Sequence, residues 1–437
     1  MVEIVILLAL TGLMHAARTF TADMTTGSTE LAFGYLLLTA YFAGRLGSRL
    51  GLPKMTGYLL TGVAVGPFVL GLVSQEMTGS LRVVSGTATC FLGLTAGGEL
   101  DLERVKPLLR TLRSITLFGV FTGMAILTAV LFLLRPFLPM FSGMPTLQSV
   151  AVCALIGVAL SAQSPAVVMA LLAETRAEGP LSRLVLATVV IADLVVIVIY
   201  SIVATIAGAL LGSSIDVTHT SLAIAWELFG SIAFGLAIGL VIGAFVRIVR
   251  RGNASLFALV VCVVVAEVGA RLHLDPLVVM LAAGVWLKNF SRADSTSLLQ
   301  DFVSAELPVF LVFFSLAGSR LDLYELWGML IPVAIIVAVR AGIFFLGCRV
   351  ACERTHADPS ITRFGWTGLI PQAGLSLALV VVIQNNFPTF GPPAAVLLLS
   401  VVGVNQLVAP LLFRTGLVKS GEAGQRGAPS FAVEPGN

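Results

Sequence analysis

Apolar runs of about 15 to 28 residues recur from one end of this chain to the other, and that is the length at which a helix crosses a hydrocarbon layer with some tilt. A bilayer offers the backbone no hydrogen-bond partner, so such runs must close their own bonds as helices. Only 11% of the 437 residues are charged, where a soluble domain carries about a quarter. The expected fold is therefore an all-α polytopic membrane protein of 13–14 transmembrane helices in a lipid bilayer. Fourteen candidate spans lie at approximately 2–20, 31–45, 55–74, 83–100, 114–134, 149–172, 184–211, 225–246, 254–270, 274–288, 304–319, 326–348, 364–385 and 391–413.

Lys and Arg concentrate in alternate loops: Arg45, Arg49 and Lys54; Arg104, Lys106, Arg110 and Arg113; Arg176 and Arg183; Arg247, Arg250 and Arg251; Lys288 and Arg292; Arg349, Arg354 and Arg363. Those loops are expected to face the cytoplasm, and the opposite set holds only Arg18, Arg82, Arg135, Arg271 and Arg320. The expected location is the plasma membrane, multi-pass, with a cytoplasmic carboxyl terminus. Residues 414–437, rich in Gly, Ser and Pro, read as a disordered cytoplasmic tail. Residues 1–30 hold an extra helix and an outer loop. That first run is either a retained helix or a signal peptide; Glu3 and the lack of a basic leader favour a retained helix, which puts the amino terminus in the cytoplasm. The net charge of +3 is too small and scattered for a nucleic-acid partner. Cys90, Cys153, Cys262, Cys348 and Cys352 lack zinc or disulfide spacing and read as packing residues, so no metal centre and no cofactor is expected.

The six spans from 31–45 to 184–211 and the six from 254–270 to 391–413 run in opposite senses, joined by 225–246. Inverted six-helix repeats are an architecture of carriers. The fifth span of each set is interrupted at a matching place, by Ser161-Ala162-Gln163-Ser164-Pro165 and by Gly368-Leu369-Ile370-Pro371-Gln372-Ala373-Gly374-Leu375-Ser376. Proline removes a donor and clashes with the preceding turn, and the freed carbonyls need protein, water or an ion. A plain proline kink is the alternative for either break alone; the pairing across the repeat favours paired binding breaks.

An ionisable residue near a helix centre costs about 2.5–3.5 kcal/mol on insertion scales, so each one needs a reason. Asp193 lies within Val189–Val198, and Arg340 within Ile335–Phe345. At 1.5 Å per residue, Asp193 is roughly 13 Å and Arg340 roughly 12 Å from the basic side, level with Gln163, Pro165, Pro371 and Gln372 at roughly 10 to 13 Å. A buried ion pair between the two charges is a poor stabiliser, which favours a functional Asp193. Arg340 reads either as tuning Asp193 and the half-helix ends or as structural. Glu267, Arg271 and Asp275 at the outer turn read as interfacial.

The stretch Gly51-Leu52-Pro53-Lys54-Met55-Thr56-Gly57-Tyr58-Leu59-Leu60-Thr61-Gly62-Val63-Ala64-Val65-Gly66-Pro67 resembles a signature of the monovalent cation/proton antiporter superfamily, the sodium/proton exchanger family in its Kef- and NapA-like branch. So do the Ser161–Pro165 break followed by Ala192-Asp193, Phe313-Phe314-Ser315-Leu316-Ala317-Gly318, and Ala282-Ala283-Gly284-Val285. The resemblance implies two inverted repeats with crossed interrupted helices and a transmembrane domain over 31–413. It implies a mobile core from 114–211 and 326–413 and a dimerising scaffold from 31–100 and 225–319, hence a homodimer. It implies that Asp193 binds cation and proton in turn, and that Arg340 is the family's charge-compensating basic residue. The chain departs from the family at Ala192, where relatives carry a second carboxylate or an amide, and at Gln163 and Ser164, where many carry Thr and Asp. The cytoplasmic nucleotide-binding module of the potassium-efflux branch is not in this sequence.

One carboxylate can exchange a proton for a monovalent cation, Na+ or K+, if burial makes the two occupants compete and either neutralises it. Ser161, Gln163 and Ser164 are the further candidate ion ligands, since hard cations favour oxygen; Pro165, Pro371, Gln372 and Gly374 shape the interrupted helices. Arg340 stays charged and Ala192 offers no second acid, so exchange is expected to be electroneutral. Two other readings stay open: a carrier of a small anion bound by Arg340, and a membrane sensor or interaction subunit without transport. No nucleophile triad or metal cluster suggests an enzyme.

Overall fold

The computed structural model describes residues 2–20, 28–211, 222, 225–248, 254–291 and 295–425. The expected outer loop around 212–224, Arg250, Arg251, Arg292 and the tail beyond 425 lie, wholly or nearly so, outside the described residues. Among the described residues the chain is helical, with no strand. The long helices are α1 (Val2–Phe20), α2 (Ser28–Arg49), α3 (Lys54–Val65), α4 (Arg82–Glu99), α5 (Leu102–Phe137), α6 (Thr146–Leu160), α7 (Pro165–Thr175), α8 (Pro180–Leu210), α9 (Trp226–Ile248), α10 (Ala254–Leu272), α11 (Pro276–Asn289), α12 (Ser295–Ser319), α13 (Leu330–Thr355), α14 (Gly374–Asn386) and α15 (Gly391–Lys419). Each of the fourteen apolar runs contributes a helix, and the two interrupted runs come apart at their prolines. Among the described residues, seven helical runs are by themselves long and apolar enough to cross a membrane.

Two boundaries differ from the apolar pattern. The run 55–74 stays apolar, but α3 stops at Val65 because Gly66-Pro67 follows, and proline cannot continue a helix. The chain then folds back, with the Leu70 and Val73 N–H groups donating to the Ala64 and Val65 carbonyls. At the other end α15 continues past 413 to Lys419, and residues 420–425 turn back onto the body, with Glu422 only 6% exposed.

The inverted repeat is visible in packing. Helices α4 and α11 cross so closely that a Cβ on Gly97 would lie 2.1 Å from the Leu281 carbonyl oxygen. The symmetry-related pair, α12 and α3, does the same: a Cβ on Gly62 would lie 1.9 Å from the Ser315 carbonyl oxygen. Small residues let helix backbones approach where lipid gives no hydrophobic drive to associate.

One buried cluster joins α5, α6, α8, α13, α14 and α15 through residues such as Leu127, Ile156, Val196, Ile336, Ile383 and Leu398. A second joins α4, α9, α10 and α11 around Phe91, Ile242, Cys262 and Met280. Helix α1 lies on α2, where Met14 is buried and Glu3 pairs with Arg49 at 2.6 Å.

Candidate functional site

A helix ending inside a membrane leaves carbonyls at one end and N–H groups at the other, and each must be satisfied. At the end of α6 the Gly157 carbonyl accepts from the Ser161 hydroxyl at 3.0 Å, and the Val158 and Ala159 carbonyls accept from the Ser161 and Ala162 N–H groups. Two further carbonyls, of Leu160 and Ala162, turn to Arg340: its Nε donates to Leu160 at 2.8 Å and its Nη2 to Ala162 at 2.9 Å. Its Nη1 donates to Ile370 at 2.6 Å, in the second break. The guanidinium is 1% exposed and lies over the Phe344 ring, 4.8 Å from its centroid. A planar fork of five donors fits this task, which a single ammonium would fill poorly. Arg340 thus fastens the two interrupted helices to each other.

Across the first gap, α7 begins at Pro165, where the missing N–H costs nothing, and Ser164 caps it by accepting from the Val167 N–H at 3.3 Å. The Gln163 N–H donates to Asp193 Oδ1 at 3.2 Å. Asp193 therefore sits at the amino end of a half-helix, where the helix dipole favours negative charge. Among the described residues Asp193 has no cationic partner, so the expected alternative of an Asp193–Arg340 ion pair is replaced by an indirect link. The Ala162 carbonyl and the Gln163 N–H belong to one peptide group, gripped by Arg340 at one end and Asp193 at the other. Charges placed so polarise that peptide cooperatively.

Gln163 is fully buried and both polar atoms of its side-chain amide lack a partner among the described residues, an uncommon and costly state for a buried amide. The Ser161 and Ser164 hydroxyls are engaged in the local bonds above. In the second break Gln372 takes the matching position. Its Nε2 donates to the Leu160 carbonyl at 3.0 Å and its Oε1 accepts from Asn405 Nδ2 at 2.6 Å. Pro371 lies in the unwound segment and Gly374 opens α14 with free space on its Cβ side. Asn405 was not singled out from the sequence. Its signal was its place: α15 is the repeat mate of α8, and Asn405 reaches the second break as Asp193 reaches the first, though it bonds the Gln372 side chain where Asp193 bonds the Gln163 main chain.

Ser182, Leu186, Asp193, Ile197 and Tyr200 follow at helical spacing along one face of α8. Ser182 and Leu186 line a cavity of about 160 Å³ with Glu99, Asp101, Arg104 and Lys288, at the basic loops. Ile197 and Tyr200 line a smaller cavity of about 30 Å³ toward the opposite face. Asp193, 8% exposed, lies between them. The outer-turn residues separate: Glu267 pairs with Arg271 at 2.8 Å, whereas Asp275 caps α11 and lines the smaller cavity.

Glu422 is a second residue the sequence did not flag. Its carboxylate accepts from the Leu181 and Ser182 N–H groups at 2.7 and 2.8 Å and from the Ser182 hydroxyl at 2.6 Å. The turn that follows α15 thus caps the helix that carries Asp193. A residue 240 positions away in sequence leaves no local pattern to find.

The architecture is similar to that of the sodium proton antiporter MjNhaP1 from Methanocaldococcus jannaschii. A structure at pH 8 gives a TM-score of 0.65 at 15% identity, covering 91% of this chain and 98% of that one. A structure from an electron-microscopy map gives 0.70 at 13% identity, covering 93% and 100%. At such identities the likeness speaks for the fold. A family model described as sodium/hydrogen exchanger, transmembrane, matches residues 35–418, nearly the whole membrane domain. The chain belongs to the sodium/hydrogen exchanger family, whose members are transporters and not enzymes.

Proposed function

We propose that this protein exchanges a monovalent cation, Na+ or K+, for a proton across the plasma membrane, with Asp193 as the carboxylate that binds each in turn. The observation that carries the reading is the position of Asp193 on α8, with no cationic partner among the described residues, between one cavity lined by Ser182 and Leu186 and another lined by Ile197 and Tyr200 on the same helix. A relative shift of the α5–α8 and α13–α15 group against α2–α4 and α9–α12 would open one cavity to the carboxylate and close the other. The charged, empty carboxylate resists that movement in a low-dielectric interior, while a proton or a cation neutralises it. The unpartnered Gln163 amide oxygen is a candidate ligand beside it; Ser161 and Ser164 contribute through their backbone oxygens, and the second break through Gln372 holds the crossing in place. We place the basic loops in the cytoplasm and the protein in a homodimer.

Arg340 supports this reading over anion transport, because its guanidinium is committed to three main-chain carbonyls. With one carboxylate and Ala192 beside it, the cycle is electroneutral. The test is reconstitution in vesicles containing a pH dye under an imposed proton gradient. Added Na+ or K+ should move internal pH, Asp193→Asn should abolish the response, and an imposed membrane potential should leave the rate unchanged. A response to anions instead, or one that survives Asp193→Asn, overturns the reading.

A further inference from the structure

Tyr200 of α8, Glu227 of α9 and Asp275 at the start of α11 line the same cavity of about 30 Å³, room for a particle the size of a water molecule. Tyr200 is 1% exposed and its hydroxyl has no hydrogen-bond partner among the described residues, although buried hydroxyls ordinarily have one. The Glu227 carboxylate makes no hydrogen bond or ion pair among the described residues. Asp275 Oδ1 accepts from the Leu277 and Val278 N–H groups at 2.7 and 3.0 Å. The Asp275 N–H donates to the Ser231 hydroxyl at 2.9 Å, and that hydroxyl donates to the Glu227 carbonyl. Both acids are therefore positioned by main-chain bonds on packed helices, and the neighbouring Arg271 is already paired with Glu267.

Two carboxylates facing a small cavity repel each other when it is empty, and a cation between them removes that repulsion. The idle phenol oxygen adds a third hard ligand of the type hard cations prefer over nitrogen or sulfur. The geometry points to a second cation site here, a waiting position for the transported monovalent ion formed by the Glu227 and Asp275 carboxylates and the Tyr200 hydroxyl. The inference rests on exchange at Asp193. Tyr200 is seven residues beyond Asp193 on the same face of α8, about 10 Å along the helix axis. Movement of α8 against α9 and α11 draws Tyr200 away from the two acids, so the site would release its ion as the cycle turns.

The experiment uses full-length protein carrying Asp193→Asn, in which the main site is lost, and measures saturable binding of radioactive Na+ and Rb+ in detergent. One ion should bind. Adding Glu227→Gln should abolish that binding, and Tyr200→Phe, which removes only an unpartnered hydroxyl, should weaken it several-fold while leaving the unfolding midpoint at or above its starting value. Asp275→Asn, which keeps a good helix cap, should weaken it too. In sidedness-resolved vesicles with Asp193 intact, Glu227→Gln should raise KM for the cation several-fold from the Glu227 side and leave it unchanged from the basic side. No binding to the Asp193→Asn protein, or a KM change equal from both sides, overturns the site. Binding in the Asp193→Asn protein alongside a wild type that exchanges no cation would overturn the transport reading and leave the site standing.

Discussion

Replacing Arg340 by Met removes three buried, charge-assisted hydrogen bonds and keeps a chain of similar length in place. At about 1.5–3 kcal/mol each, the three bonds are worth about 4.5–9 kcal/mol. Removing a charge from mid-membrane recovers about 2.5–3.5 kcal/mol on insertion scales. The net expectation is a loss of about 1–6.5 kcal/mol. The Leu160 carbonyl keeps Gln372 as a partner, so the loss falls on Ala162 and Ile370. Arg340→Lys retains the charge but not the fork, and should recover part of the stability and part of the exchange rate. Unfolding of purified protein in lipid or detergent, followed by tryptophan fluorescence, measures the first, and the vesicle pH assay the second. An Arg340→Met midpoint at or above wild type would refute the clamp and return Arg340 to the role of an expendable or ligand-facing charge.

Glu422→Ala should destabilise the start of α8 by about 0.5–2 kcal/mol, the range of a lost helix cap, read as faster hydrogen exchange at Leu181 and Ser182. Gly179→Ala should act in the same direction, because its Cβ would meet the Glu422 carboxyl at 2.2 Å. Gly62→Val and Gly97→Val should each separate a helix pair in contact at the backbone, and the yield of folded protein should fall sharply, while the same change at Gly34, where nothing lies within 4 Å, should be mild. Asn405→Leu leaves Gln372 Oε1 unpaired in a buried site, at a cost of about 1–3 kcal/mol, and should lower both the unfolding midpoint and the exchange rate.

Much of the fold was legible because membrane helices announce themselves locally. Each must be apolar over its own length, and the prolines at 165 and 371 mark where the backbone breaks. Asp193 and Arg340 stood out for the same reason, as charges in runs that otherwise exclude them. The end of α3 was hidden because Gly66-Pro67 stops the helix while the apolar composition continues to Leu72 and Val73.

The partners of those charges were not legible. Arg340 bonds to carbonyls, which every residue carries and no letter of the sequence distinguishes. Asp193 and Arg340 look like an ion pair on depth alone, and only the tertiary arrangement shows them at opposite ends of the Ala162–Gln163 peptide. Glu422, Asn405 and the group of Tyr200, Glu227 and Asp275 depend on contacts between residues far apart in the chain. By itself the sequence determined the class of solvent, the helices, their inverted order and the one deep acid, since each follows from hydropathy and backbone chemistry within a single segment. What holds the breaks together, what caps the helix of Asp193 and which groups share its cavities were decided by tertiary structure, because those properties belong to pairs of segments.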